Sequence, residues 1–137
     1  LYSNEKFSVP ENVYIIGMMN TADRSLAMLD YALRRRFAFY EMKPGFETKG
    51  FRDYQEGLSN LKFDRLIATV QTLNAADESL GEGFCIGHSY FCNLKEVTDQ
   101  ALSEIVEFEL IPLLKEYWFD EPTKVKSWVN HLRSAIN

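Results

Sequence analysis

Residues 13–37 read "VYIIGMMNTADRSLAMLDYALRRRF", and the fold class turns on how this stretch is read. It opens on Val13, Tyr14, Ile15 and Ile16, β-formers in a run too short for a helix. The run stops at the polar turn Asn20-Thr21-Ala22-Asp23. Asp23 or Ser25 can cap the next segment, where Leu26, Leu29 and Leu33 recur at the i, i+3, i+7 spacing of a short helix. "FAFYEM" (37–42) then alternates and predicts a second strand, ending at the Lys43-Pro44-Gly45-Phe46 turn. Strand, helix and strand together make an α/β unit over residues 1–45. The apolar character of its first strand suits the centre of a parallel sheet covered on both faces.

Working outward from that unit, the pattern becomes helical. Phe63, Leu66, Ile67, Val70 and Leu73 follow i, i+3, i+4, i+7 spacing. Val97, Ala101, Leu102, Ile105, Val106 and Phe108 predict another helix, with Pro112 starting a new turn or kinking it. Pro122 lies near a third helix start, ahead of a face formed by Val125, Trp128, Val129, Leu132 and Ile136. "GEGFCIGHSYF" (81–91) reads as a loop or short irregular strand. The aromatics Tyr117, Trp118, Phe119 and Trp128 are assigned to the core. The chain thus divides into residues 1–45, the end of an α/β core, and residues 46–137, a mainly helical subdomain.

A chain of 137 residues, 46% apolar and 26% charged, can bury a real core as one domain or two small ones. No apolar run approaches the ~18 residues of a membrane span, and no signal-peptide pattern opens the sequence. The two cysteines, Cys85 and Cys92, are too few for a disulfide framework, so the cytoplasm is the expected location. The start at Leu1 reads as a piece of a longer protein. Net charge is −5, which argues against nucleic-acid binding through the average surface. The charge is uneven: residues 1–45 carry six Lys/Arg against five Asp/Glu, and residues 46–137 carry nine against fifteen. The basic feature is local, at Arg34, Arg35 and Arg36.

Ligands of open α/β sheets sit beyond the carboxyl ends of the strands, and Asn20 occupies such a place. Its amide can hold a phosphate oxygen and orient a water; it can equally complete an Asx-turn. The arginines can complement a helix C-terminus, bind phosphate oxygens bidentately or touch a DNA backbone. Successive side chains fan around a helix, so at most one or two of the three can serve a single ligand. Cys85, His88 and Cys92 provide only three metal ligands at poor spacing, and no metal is assigned. Asp23 and Asp30 are better explained as a cap and an exposed helix charge than as a catalytic pair. No phosphate-binding glycine motif and no Ser-His-Asp arrangement are present.

The combination "MNTADRS" followed by "DYALRRRF", with "LGEGFCIGHSYF" and "EIVEFELIPLLKEYWFDEP" further on, resembles the McrB-type AAA+ restriction NTPases, the motor subunits of methylcytosine-dependent restriction systems. The resemblance spans nearly the whole chain and implies an AAA+ core end followed by a helical lid. It implies that Asn20 is the polar sensor beside the γ-phosphate, and that Thr21, Ala22, Asp23 and Arg24 complete a turn activating hydrolysis through the partner nuclease. By the same resemblance Arg35 and Arg36 lie at a subunit boundary and include the arginine finger, with Arg34 structural. Gly87, His88, Ser89 and Tyr90 would lie in the lid near the nucleotide; no arginine stands among them, which departs from the usual second sensor. Further implications are a hexameric ring, GTP or ATP with Mg2+, a nuclease subunit of the McrC type, and DNA contacts through other domains. With no phosphate loop, the 137-residue chain is expected neither to bind nucleotide tightly nor to hydrolyse it. With the other strands of its sheet absent, the apolar first strand is expected either to drive self-association or to be covered by the helical subdomain. The competing readings are another AAA+ branch and a stand-alone DNA- or protein-interaction module.

Overall fold

The computed structural model describes residues 8–19, 35–76 and 84–137. A 3-10 turn at Gly45–Glu47 leads into helix α1 (Lys49–Leu58) and then α2 (Leu61–Ala76). A second 3-10 turn, His88–Phe91, precedes α3 (Asp99–Glu104). The chain continues through a π-helical segment, Ile105–Leu110, into α4 (Ile111–Tyr117), and ends with α5 (Pro122–Ile136). The architecture is therefore mainly helical.

Neither expected strand is formed among the described residues: 13–19 and 38–42 are not joined into a ladder. Tyr14, Ile16 and Met18 are 90%, 94% and 98% exposed, and Tyr40 and Met42 are similarly open. A strand is completed by hydrogen bonds to a neighbouring strand, and no described segment supplies one, so β-propensity alone does not make a sheet here. The helix expected over Leu26–Leu33 lies outside the described residues.

Local chemistry sets the helix ends. Oγ1 of Thr48 accepts the Phe51 N–H at 3.3 Å and caps α1. The helix stops at Ser59, in the left-handed region with φ 47°. Oδ1 of Asn60 accepts the N–H groups of Lys62 and Phe63, both at 3.0 Å, and opens α2. Thr98 does the same for α3 by accepting from Ala101 at 3.1 Å. Pro122 occupies the first turn of α5, where its missing N–H costs nothing.

The sequence pattern does not reveal helix α1, although Phe51, Tyr54 and Leu58 carry a weak i, i+3, i+7 signal. Nor does it reveal the π segment. There the Ile111 N–H reaches back five residues to the Val106 carbonyl, just ahead of Pro112, which has no N–H to offer. The widened turns rotate the residues beyond them, and Phe108, assigned to the buried face, is 76% exposed instead.

The core is the space between α2, the α3–π–α4 rod and α5, with α5 lying along α2. All five residues of the α2 pattern, Phe63, Leu66, Ile67, Val70 and Leu73, are buried, and Val125, Val129 and Leu132 meet them from α5. Leu102, Val106, Leu110 and Leu114 fill the rod's inner face. Trp118 is buried, and Lys124 Nζ lies 4.4 Å from its ring centroid. Phe119, expected in the core, is 82% exposed: in the turn after α4 its neighbour Trp118 takes the inward position and Phe119 faces out. Across the surface, Arg133 of α5 grips Glu107 of the π segment with Nε and a terminal nitrogen, at 2.6 and 2.8 Å. Lys62 ties α2 to Asp99 of α3 at 2.9 Å.

Candidate functional site

Residues 84–94 have little regular structure of their own, so long-range hydrogen bonds must hold them. The loop is braced at three points. Asn74, near the end of α2, accepts the Ile86 N–H at 2.8 Å and donates to the Ile86 carbonyl at 2.9 Å. This satisfies the backbone of a fully buried residue. The Gly45 N–H, just before α1, donates to Nδ1 of His88 at 2.9 Å. The Tyr54 hydroxyl, in α1, lies 2.8 Å from the Phe91 carbonyl, 3.0 Å from the Leu94 carbonyl and 3.1 Å from the Leu94 N–H. It can donate to either carbonyl while accepting from the amide. Burial pushes the Tyr54 phenol up from its ordinary value.

Apolar contacts tighten the same joint. The Phe46, Phe51, Phe63 and Phe91 rings form a chain of edge-on and tilted contacts with centroids 5.3 to 6.2 Å apart. His88 sits within it, 6.1 Å from Phe46 and 5.9 Å from Phe51. Phe91 is fully buried, whereas the nearby Ser89 is exposed to a greater degree. Ser89, Tyr90 and Asn93 line a groove together with Glu104, Ile105 and Glu109 from the junction of α3 and the π segment. Around this groove the Glu104 and Glu109 carboxylates can only accept hydrogen bonds, whereas the Ser89 and Tyr90 hydroxyls and the Asn93 carboxamide can both donate and accept.

Of the residues singled out from the sequence, Gly87, His88, Ser89 and Tyr90 are brought together on this braced loop. His88 is half-buried and already engaged through Nδ1. Arg35 and Arg36 lie in an exposed turn, distant in sequence from the loop. Asn20, Asp23, Arg24 and Arg34 lie outside the described residues. Cys85 and Cys92 form no disulfide, and the Cys92 thiol donates to the His88 carbonyl at 3.3 Å. Tyr54 and Asn74 are the residues that sequence reasoning missed. Each stands alone as a polar group on an otherwise apolar helical face, which is the signal that could have found them.

No helix among the described residues is long and apolar enough to cross a membrane. Residues 65–126 match the family model of the McrB α-helical lid domain, a stretch that begins inside α2 and ends inside α5. The chain is also similar to the EcoKMcrB subunit of the type IV methyl-directed restriction enzyme of Escherichia coli (strain K12). The two are 50% identical over 141 residues, covering 93% of this chain and 30% of that relative's length. The lid match and this identity agree with the helical architecture, and the chain is a McrB-type sequence carrying that family's α-helical lid.

Proposed function

We propose that this chain belongs to the motor of a modification-dependent restriction system, a ring-forming AAA+ enzyme that hydrolyses GTP or ATP with Mg2+ and works with a nuclease subunit of the McrC type. The observation that carries the reading is the 50% identity to a methyl-directed restriction subunit across 93% of the chain. In this reading residues 1–45 end the AAA+ core and residues 46–137 are the lid. Asn20 faces the γ-phosphate of its own subunit. Asp23 and Arg24 complete the activating turn, and Arg35 or Arg36 reaches the neighbour's nucleotide. The guanidinium is suited to that role because its charge is permanent and its donors form a fixed fork. Gly87, His88, Ser89 and Tyr90 bring the lid towards the nucleotide. The 137-residue chain has no phosphate loop and is itself inactive in this reading.

The test is GTP and ATP turnover by a full-length protein carrying this sequence, compared with Arg35→Ala and Arg36→Ala. One of the two variants should lose about 10²-fold or more, approaching the range of an arginine finger. Mixing that variant with subunits disabled in their own phosphate loop should restore turnover, because the arginine acts on the neighbour. Unchanged turnover in both variants, with weaker DNA binding and a shallower salt dependence, would make the arginines a DNA-backbone contact instead.

A further inference from the structure

We propose that His88, held as its Nε2–H tautomer, is the positioning residue that latches the connector entering the helical body at Gly45. A neutral imidazole has one donor nitrogen and one acceptor nitrogen. Because the Gly45 N–H donates to Nδ1 at 2.9 Å, the ring proton must reside on Nε2. The other backbone group of Gly45 is held as well: its carbonyl accepts from the Thr48 N–H at 3.1 Å and from the Thr48 hydroxyl at 2.7 Å. Gly45 is thus fixed on both sides, by the loop through His88 and by the start of α1 through Thr48.

Steric fit makes the latch specific. A Cβ on Gly45 would lie 2.9 Å from His88 Cε1, closer than such atoms approach, and a tight 3.0 Å from Nε2. The ring cannot easily retreat, since Phe46 and Phe51 meet it with interplanar angles of 72° and 89°. Pro44 precedes the joint at φ −51°, restricted by its own ring. A latch of this kind would hold the 45–48 turn in place were the earlier residues to reorient relative to the helices.

The latch has one chemical release. An imidazolium has two donors and no acceptor, so a protonated His88 would set a donor against the Gly45 N–H. Among the described residues, Gly45, Phe46 and Phe51 meet the ring. Glu47, on the same turn, is engaged by Arg52 and Gln71. The titratable thiol beside it, Cys92, bonds to the His88 carbonyl rather than to the ring.

The test is nitrogen-15 NMR with amide exchange on the 137-residue chain. At neutral pH His88 should show the Nε2–H pattern and the Gly45 amide should be protected. Acidification should lower Gly45 protection about five- to tenfold, the worth of one neutral hydrogen bond, in step with loss of the Nε2–H pattern at His88. The Ile86 amide, held by a carboxamide that does not titrate, should keep its protection. His88→Asn places an oxygen near the Nδ1 position and should retain Gly45 protection at both pH values; His88→Gln places its amide near Nε2 and should not. An Nδ1–H tautomer overturns the proposal, as does Gly45 protection indifferent to pH and to the Asn/Gln exchange. Should one variant fail to fold, the wild-type titration still decides. Neither outcome depends on nucleotide turnover, so the latch and the motor reading can fail separately.

Discussion

Asn74 meets both hydrogen-bonding groups of Ile86, accepting its N–H at 2.8 Å and donating to its carbonyl at 2.9 Å. The pairing is the side-chain equivalent of one rung of a ladder, made by a helix for a loop. Asn74→Ala leaves a buried N–H and C=O without partners, which should destabilise the chain by about 1–3 kcal/mol. Asn74→Asp keeps the acceptor but turns a carboxylate oxygen toward the Ile86 carbonyl, so it should not rescue. Urea unfolding of the three chains measures this; equal midpoints for wild type and Asn74→Ala would show that water replaces the carboxamide without loss.

Tyr54 secures the other end of the loop with a single oxygen. Tyr54→Phe retains the ring's contacts with Phe51 and Phe63 and removes only the hydroxyl. A loss of about 1–2 kcal/mol is expected, with faster exchange confined to residues around Leu94. Burial raises the phenol above its ordinary value, so the neutral form is favoured by folding. That contribution is complete below the unfolded phenol's range and fades as pH rises through the raised folded value. An alkaline unfolding curve that is identical for Tyr54→Phe and wild type would contradict this.

Gly45→Ala tests close approach rather than backbone freedom. The added methyl must displace the His88 ring, which is packed against Phe46 and Phe51. Overpacking of this kind costs about 1–3 kcal/mol. Gly50 and Gly57, on α1, have open space where an added methyl would stand, and replacing either by Ala should hold or raise stability because Ala is the better helix former. Thermal unfolding of the three variants should therefore divide one against two.

Acid should weaken two surface ties. Hydrogen bonds from Arg52 and Gln71 hold the Glu47 carboxyl below its ordinary value, and the Arg133 guanidinium does the same for Glu107 while its own value rises. A lowered carboxylate stabilises the fold fully above the unfolded carboxylate range and loses that effect as pH falls through the lowered folded value. The groups are open to solvent, so the effect should be small and shrink with added salt. Arg133→Gln should flatten the acid limb of a stability–pH profile, and an unchanged limb would assign it to other groups.

The legible parts of the fold are those in which one residue's environment follows from its near neighbours. Phe63 to Leu73 repeat with the helical period, and all five buried residues of that pattern face the core. Pro122 opens α5 because a first-turn proline has no ladder bond to lose. The π segment stays hidden because i→i+5 turns have no distinct apolar period, and with it goes the exposure of Phe108. The apolar run at 13–19 shows the limit from the other side: its β-formers are real, yet a ladder needs a second strand, and none stands among the described residues. On the candidate site, "GFCIGHSYF" marks the right loop but cannot say what holds it.

The apolar faces of α2 and α5, the proline start of α5 and the family resemblance are carried by residues a turn or a motif apart, which is why the amino-acid order suffices to read them. That Asn74, Gly45 and Tyr54 brace one loop emerges only in the packed chain, across separations of 12, 43 and up to 40 residues. The Asn74 and Tyr54 braces join a polar side chain to backbone atoms that nearly every residue possesses, so nothing in the partner's side chain announces them. The Gly45 brace hides in the same way, since its donor is a backbone amide. Packing places α1 and the end of α2 against residues 84–94, and that alone brings donor and acceptor within hydrogen-bond reach.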